Sequence, residues 1–467
     1  MGTRKRRERQ EELWYRSEIA ETPGHPFYRR LNAVLNGAGF DQFCEERCRQ
    51  FYHEKLGRPS LAPGVYFRLM LIGFFEGLDS ERGVAWRVAN SLNLRQFLSY
   101  GLDERTPDHA TISRTRALID SETHQAVFDW VLGEVARRGL LKGKTIGIDA
   151  TTLEANAAMK SIVRRDTGEG YQEFLRRLAQ ESGIATPTRE ELARLDRERP
   201  RKGSNQEWVN PNDAAAEITK MKDGRTHLAY QAEQAVDLDT GAIVAVTTHG
   251  GATADTESIQ ETLPAAGEAV AEQIATPTAE GQYKVQVHGV EEVVADQGYF
   301  SGAVLAAMAE MQVRSYISEP KQRRRRWGGK RDQQAAVYGN RQRVRGERGK
   351  ALLRSRGEKL ERPFAHQYET GAMRRLYVRG RDNAAKRVLL QAAACNLALI
   401  LRSLTGAGTP RGLSDQKLNL LLALLRVFGA LSAALDPIRL DDGWGRSDLA
   451  AENRGAPFAR RCRKRAF

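Results

Sequence analysis

The chain has 467 residues, a formal net charge of +14 and a sequence pI near 9.7. That length allows two or three domains of ordinary size, and that charge points to a polyanionic partner. Four cysteines in so long a chain exclude a disulfide framework.

Residues 1–22 are charged, with Arg4 to Arg7 as a basic arm and no apolar run of the kind a signal peptide carries. Residues 23–140 read as helical. Phe27, Leu31, Val34 and Leu35 recur at helical spacing, Val65 to Phe75 is an apolar helix, and Ser80 caps a helix expected over Gly83 to Leu92. Cys44 and Cys48 lie four apart near His53, but no second ligand pair follows, so buried helix positions are expected rather than zinc ligands. Thr106-Pro-Asp108 opens a helix that shows Thr111, Ser113, Arg114 and Arg116 on one side. Short helices ending on this one suggest a helix-turn-helix-like DNA reader.

Lys144 to Ala150 alternates apolar and polar residues and delivers Asp149, so it reads as a strand carrying one carboxylate. A polar insertion follows, from Asn156 to about Lys222. His227 to Leu238 and Ala242 to His249, separated by Asp239-Thr-Gly241, form a hairpin signal. Thr253 to Ala271 is helical and Val285 to Val287 a candidate short strand. Val290 to Ala295 is a buried strand ending at Asp296. Ser301 caps the helix Gly302 to Met311, and Val313 to Ser318 is a further strand. Strand, hairpin, helix, strand, helix, strand is the α/β order of a ribonuclease H-like mixed sheet. This core is expected over 141–405, behind the N-terminal helical domain. Val388 to Leu401 is a buried helix. Residues 406–467 comprise a Gly/Pro linker, an amphipathic helix Ser414 to Leu435 and a basic tail. That helix is interrupted by Arg426 and is short for a membrane span, so a cytoplasmic, nucleoid-associated protein is expected.

Carboxylates in apolar strands are costly unless paired, hydrogen-bonded or bound to metal. Two strands that each deliver one Asp can converge on a divalent cation, since Mg²⁺ takes few carboxylates together with water and phosphate oxygens. Between Lys321 and Arg362 stand 16 Lys and Arg against 4 Asp and Glu, so nearly all the net charge sits in one block, as a phosphate-tracking surface requires. A two-metal site needs a further acid. Glu361, held between Leu360 and Phe364 among Arg354, Arg356, Lys359 and Arg362, is the first choice. Glu347 and Glu369 remain open.

Several blocks together resemble the DDE transposases of bacterial insertion sequences over roughly residues 25–402. They are His25-Pro-Phe-Tyr28, Gly57-Arg-Pro-Ser60, Ser80-Glu-Arg82 and Thr106-Pro-Asp-His109, then Gly147-Ile-Asp-Ala-Thr-Thr-Leu-Glu-Ala-Asn156, Ala295-Asp-Gln-Gly-Tyr299 and Leu360-Glu-Arg-Pro-Phe-Ala365. The resemblance implies catalytic and metal-binding roles for Asp149, Asp296 and Glu361, with two Mg²⁺ or Mn²⁺ ions. It implies cleavage at the ends of a mobile element and joining of the 3′-hydroxyls to target DNA. Double-stranded DNA and a second copy of the chain are the implied partners. Arg114, Arg116, Arg323, Arg324, Arg325, Arg326, Arg341, Arg343, Arg345 and Lys350 are the expected backbone contacts. A transposase-derived DNA-binding regulator and a nuclease that only hydrolyses are the alternatives.

Overall fold

The computed structural model describes residues 24–52, 60–199, 203–275, 288–321 and 327–413. The basic arm, Arg323 to Arg326, the candidate strand Val285 to Val287 and the helix Ser414 to Leu435 lie outside the described residues.

Helices α1 (Pro26–Gly37), α2 (Phe40–Cys48), α3 (Pro63–Phe75), α4 (Glu81–Ala89), α5 (Leu92–Phe97), α6 (His109–Leu118) and α7 (Ser121–Arg137) come first. Their starts are set by side chains that take up otherwise unpaired amides. Ser80, Ser91, Asp108 and Asp120 accept from the backbone N–H three residues on, at 3.3, 3.4, 2.6 and 2.8 Å. Ser91 explains why the helix expected over Gly83 to Leu92 stops at Ala89 and a separate helix begins at Leu92. It caps α5, and the backbone must leave helical geometry there to bring its hydroxyl to Leu94 N–H. Every residue of α3 is buried, including Arg68. Its guanidinium is held by Asp41 at 3.0 Å, Asn32 at 2.5 Å and Asn36 at 2.9 Å, which makes its burial tolerable. Cys44 and Cys48 are fully buried in this core, as the sequence suggested.

Next come β1 (Thr145–Glu154), β2 (Val163–Arg164), α8 (Tyr171–Glu181), α9 (Arg189–Glu198), β3 (Trp208–Val209) and β4 (Glu217–Lys220). The pair β2–β3 forms its own small sheet, closed by Trp208 packed against Tyr171 and Phe174. This is the polar insertion, and it has a small apolar centre of its own. The hairpin is β5 (Thr226–Asp237) and β6 (Ile243–Gly250). Asp237 holds the turn by accepting from Asp239 N–H and Thr240 Oγ1, both at 2.9 Å, and Gly241 supplies its positive φ of 84°.

The chain continues through α10 (Asp255–Ala275), β7 (Glu292–Ala295), α11 (Gly302–Glu310), β8 (Arg314–Ile317), α12 (Arg331–Arg345) and α13 (Glu347–Ala365) to α14 (Arg381–Thr405). The main sheet is six-stranded. Across it lie β6, β5, β1, β7 and β8, with β4 beside the start of β5 on the β6 side. β5 runs antiparallel to β1 and to β6, while β7 and β8 run parallel to β1, so the sheet is mixed.

Both outer edges are closed by a buried asparagine. Asn396 of α14 accepts from Ile243 N–H at 2.9 Å and donates to Ile243 O at 2.8 Å, on β6. Asn340 of α12 does the same for Ile317 of β8, at 3.0 and 2.8 Å. Each side-chain amide replaces one rung of a missing strand. α14 also packs on α7 and α3, so the helical region and the sheet share one compact unit that ends at Asp415.

Candidate functional site

The ladder between β1 and β7 places the two expected aspartates. Thr145 lies opposite Glu292, and Gly147 opposite Val294. The ladder ends there, and its register continued for two residues leads from Asp149 to Asp296, just past the end of β7, whose charge is felt at Asp149. Asp296 is also the cap of a short turn, accepting from Gly298 N–H at 2.8 Å. Asp149 accepts a salt bridge from Arg356 Nη1 of α13 at 3.3 Å. Burial pushes the Asp149 carboxyl above its ordinary range. Arg356 opposes that shift, and the nearby Asp296 adds to it. The two aspartates therefore repel one another, and a guanidinium stands where a cation would relieve them.

α13 crosses one face of the sheet. Arg343, at the end of α12, is bonded to Ser315 of β8. Arg348 of α13 pairs with Glu292 of β7, and Leu360 lies against Gly147 of β1. Beyond α13, Gln367 accepts from Gln234 of β5 at 2.8 Å, and Tyr368 bonds Thr151 of β1. A Cβ on Gly147 would lie 2.6 Å from Leu238 Cδ2 and 3.1 Å from Leu360 Cδ1, so only glycine lets the helix lie this close.

Glu361 follows the buried Leu360 and is itself exposed, without a hydrogen bond or ion pair among the described residues. Five positions on from Arg356, it stands roughly 140° around the helix from the side chain that meets Asp149. The structure thus brings Asp296 within electrostatic reach of Asp149 and turns Glu361 away from the side of α13 that meets Asp149. Glu347 is exposed at the start of α13, paired with Lys350 at 2.8 Å, and Glu369 is exposed on the turn after α13. Among the described residues no three His, Cys, Asp or Glu side chains already meet at one metal position.

Other groups converge from the opposite face of the sheet, where the sequence gave no signal. Asp255, the first residue of α10, accepts from Gln231 Nε2 at 2.9 Å. Burial raises its pKa above the ordinary carboxylate range, and the Asp296 charge raises it further. Glu233, fully buried, accepts from Ser258 Oγ at 2.6 Å and from Tyr299 Oη at 2.7 Å. Only alternation along β5 could have flagged these residues, and polar side chains inside a strand otherwise read as its solvent face.

The expected DNA contacts divide into two groups. Arg114, Arg345 and Lys350 are exposed. Arg116 is turned inward, to Glu81 at 2.6 Å and Ser113 at 3.1 Å. Arg341 forks onto Glu319 at 2.9 and 3.0 Å, and Arg343 donates to Ser315 O at 2.9 Å, with burial lowering its pKa.

The donors around Asp149 and Asp296 are all oxygen, with Asp255 close behind and no thiol or imidazole among them. That set suits a hard cation of the Mg²⁺ or Mn²⁺ type. A buried oxygen close by, Gln231 Oε1, has no hydrogen-bond donor. Residues 16–118, which include α1 to α6, match the family described as Transposase domain (DUF772). No curated protein and no solved structure matches the chain.

Proposed function

We propose that this chain, whose residues 16–118 carry a transposase domain, is a DNA transposase with a cation-dependent active site at Asp149 and Asp296. The observation that supports the reading is the proximity of these two carboxylates, one on β1 and the other just past the end of its parallel neighbour β7, where the charge of Asp296 is felt at Asp149. The order and directions of the five strands across the sheet agree with a ribonuclease H-like core.

A bound divalent cation at this site would polarise the scissile phosphate and lower the pKa of an attacking water or 3′-hydroxyl. The protein's own groups supply the rest. Asp149 and Asp296 hold oxygens towards the cation from a rigid central sheet, which fixes their spacing. Arg356 neutralises Asp149 while the site is free and, once released, becomes a donor to a phosphate oxygen a few ångströms away. Tyr299, fully buried behind Asp296, anchors that turn to Glu233. Glu361 is the third acid that the resemblance implies. To act beside Asp149, α13 must turn about its axis, and the turn His366–Thr370, wound one residue wider than an α-helix, adjoins the segment that would move.

Cleavage of a DNA fragment carrying the element's own ends tests this reading. Wild type should cut with Mg²⁺ or Mn²⁺, and Asp149→Asn or Asp296→Asn should bind the ends but lose cutting by at least a thousandfold. Glu361→Gln should do the same if α13 brings it in. Cutting that survives Glu361→Gln moves the third role to another acid. A second reading, a DNA-binding regulator with a silent core, draws on the turning of Glu361 away from the side of α13 that meets Asp149. Tight, specific binding of the ends by wild type without cutting in any divalent metal would favour it.

A further inference from the structure

We propose that Asp255 is a further carboxylate of the site, sharing with Asp296 a second divalent cation on the side of the sheet opposite Asp149. The proposal rests on the cation-dependent reading above.

Asp255 begins α10, directly after β6, yet it does not cap that helix in the usual way. The first amides of α10 are taken by a backbone oxygen, since Glu257 and Ser258 donate to Ala254 O at 2.8 and 3.0 Å. The Asp255 carboxylate is aimed elsewhere. Oδ1 accepts from Gln231, and Oδ2 lies over Gly298. A Cβ built on Gly298 would collide with Asp255 Oδ2 and stand 3.0 Å from Asp296 Oδ1. Two carboxylates from different elements thus approach one point, which only a glycine leaves open. Among the described residues no Lys or Arg forms an ion pair with either of them.

A second observation is independent of this acidic pair. Gln231 and Glu233, on alternate positions of β5, are 6% and 0% exposed. The Gln231 amide lies against Asp255, and its Oε1 has no donor. Glu233, by contrast, is supplied with donors from Ser258, Tyr299 and Thr262, so the bare oxygen is that of Gln231. An orphaned buried oxygen is costly and rare in a folded protein. Beside two convergent carboxylates it makes a wall of oxygens with fewer donors than lone pairs. A hard cation satisfies such a wall, either directly or through its bound water.

The test counts ions rather than cuts. Mn²⁺ would be titrated into the full-length protein and followed by electron paramagnetic resonance and calorimetry, with circular dichroism to verify folding. Wild type should bind two ions. Asp255→Asn, which keeps its size and its contact with Gln231, should lose one ion or weaken it at least tenfold while keeping the other within about threefold. Gly298→Ala, which displaces Asp255 without removing a charge, should weaken the same ion. Asp149→Asn should affect the other ion, and Asp296→Asn both. If wild type binds two ions and neither Asp255→Asn nor Gly298→Ala changes their number or affinity, the proposal falls and the reading at Asp149 and Asp296 stands. If wild type binds no Mn²⁺, both fall together.

Discussion

Burial disfavours the charged form of Asp149, and Arg356 offsets part of that cost. Its folded-state pKa is raised, by burial first and by Asp296 in addition. The folded chain therefore holds that proton more tightly than the unfolded chain. The penalty is absent below the unfolded carboxylate value and fully present above the folded one. Asp149→Asn should accordingly raise the melting temperature at neutral pH, and the gain should fade as pH falls through the raised folded value and be gone by about 4. Arg356→Gln should do the reverse, costing about 2 kcal/mol at pH 7 in urea unfolding, because it strands a half-buried charge. His124 gives the opposite pH sign. Burial pushes its pKa down to about 4, with Tyr66 Oη 3.0 Å from Nε2. A histidine depressed in the fold loses stability as pH falls from its unfolded value near 6.5 to about 4. Over that window the chain should lose about 3 kcal/mol, and His124→Gln should flatten the loss. Equilibrium unfolding at pH 7 and pH 4.5 reads both effects.

Single elements depend on side chains that close their ends and edges. Asn340 and Asn396 each satisfy a donor and an acceptor on an outer strand, so Asn340→Ala or Asn396→Ala leaves two buried backbone groups unpaired. Each should cost about 3 kcal/mol by urea unfolding, and a substitution that removed only packing would cost less. Gly147→Ala, by contrast, acts through volume. Its methyl would enter the space of Leu238 and Leu360, so it should cost about 2 kcal/mol and shift α13 off β1, which also moves Arg356 away from Asp149. Helix caps were legible in the sequence, since Ser80 and Asp108 each precede a helix they close. Ser91 shows how the same signal is missed. It stands inside a continuous helical pattern, and only its hydroxyl bonding to Leu94 N–H reveals the break.

For the whole molecule, charge density in sequence does not equal charge offered to DNA. The block from Lys321 to Arg362 is basic throughout, but Arg341 and Arg343 serve the fold through Glu319 and Ser315, while Arg345 and Lys350 face solvent. On the transposase reading, Arg345→Gln or Lys350→Gln should each lower the slope of log affinity against log salt by up to about 0.9 and leave stability unchanged. Arg343→Gln should instead lower stability and alter the slope little. Fluorescence anisotropy with end-containing DNA at several salt concentrations, paired with thermal melts, separates these outcomes. α14 makes the same point for apolar residues. Its helix and the few residues after it are apolar and long enough to cross a membrane by composition, yet 67% of the relevant window is buried against the rest of the chain.

Period-two alternation, turn residues and capping side chains were enough to place β1, the β5–β6 hairpin, β7 and β8 in order, because those signals act over a few residues. They also placed Asp149 on a strand and Asp296 at the end of one. That the two come near one another depends on the parallel register between β1 and β7, whose residues are separated by almost 150 positions of sequence. The direction of Glu361 depends on how α13 rolls across the sheet, which Leu360, Gly147 and Leu238 decide by packing. The approach of Asp255 to Asp296 depends on a glycine in one loop and a helix start in another. Local chemistry thus determined which elements form and which carboxylates they carry. Only long-range packing decided which of those carboxylates meet, since a charge is felt through space and not along the chain.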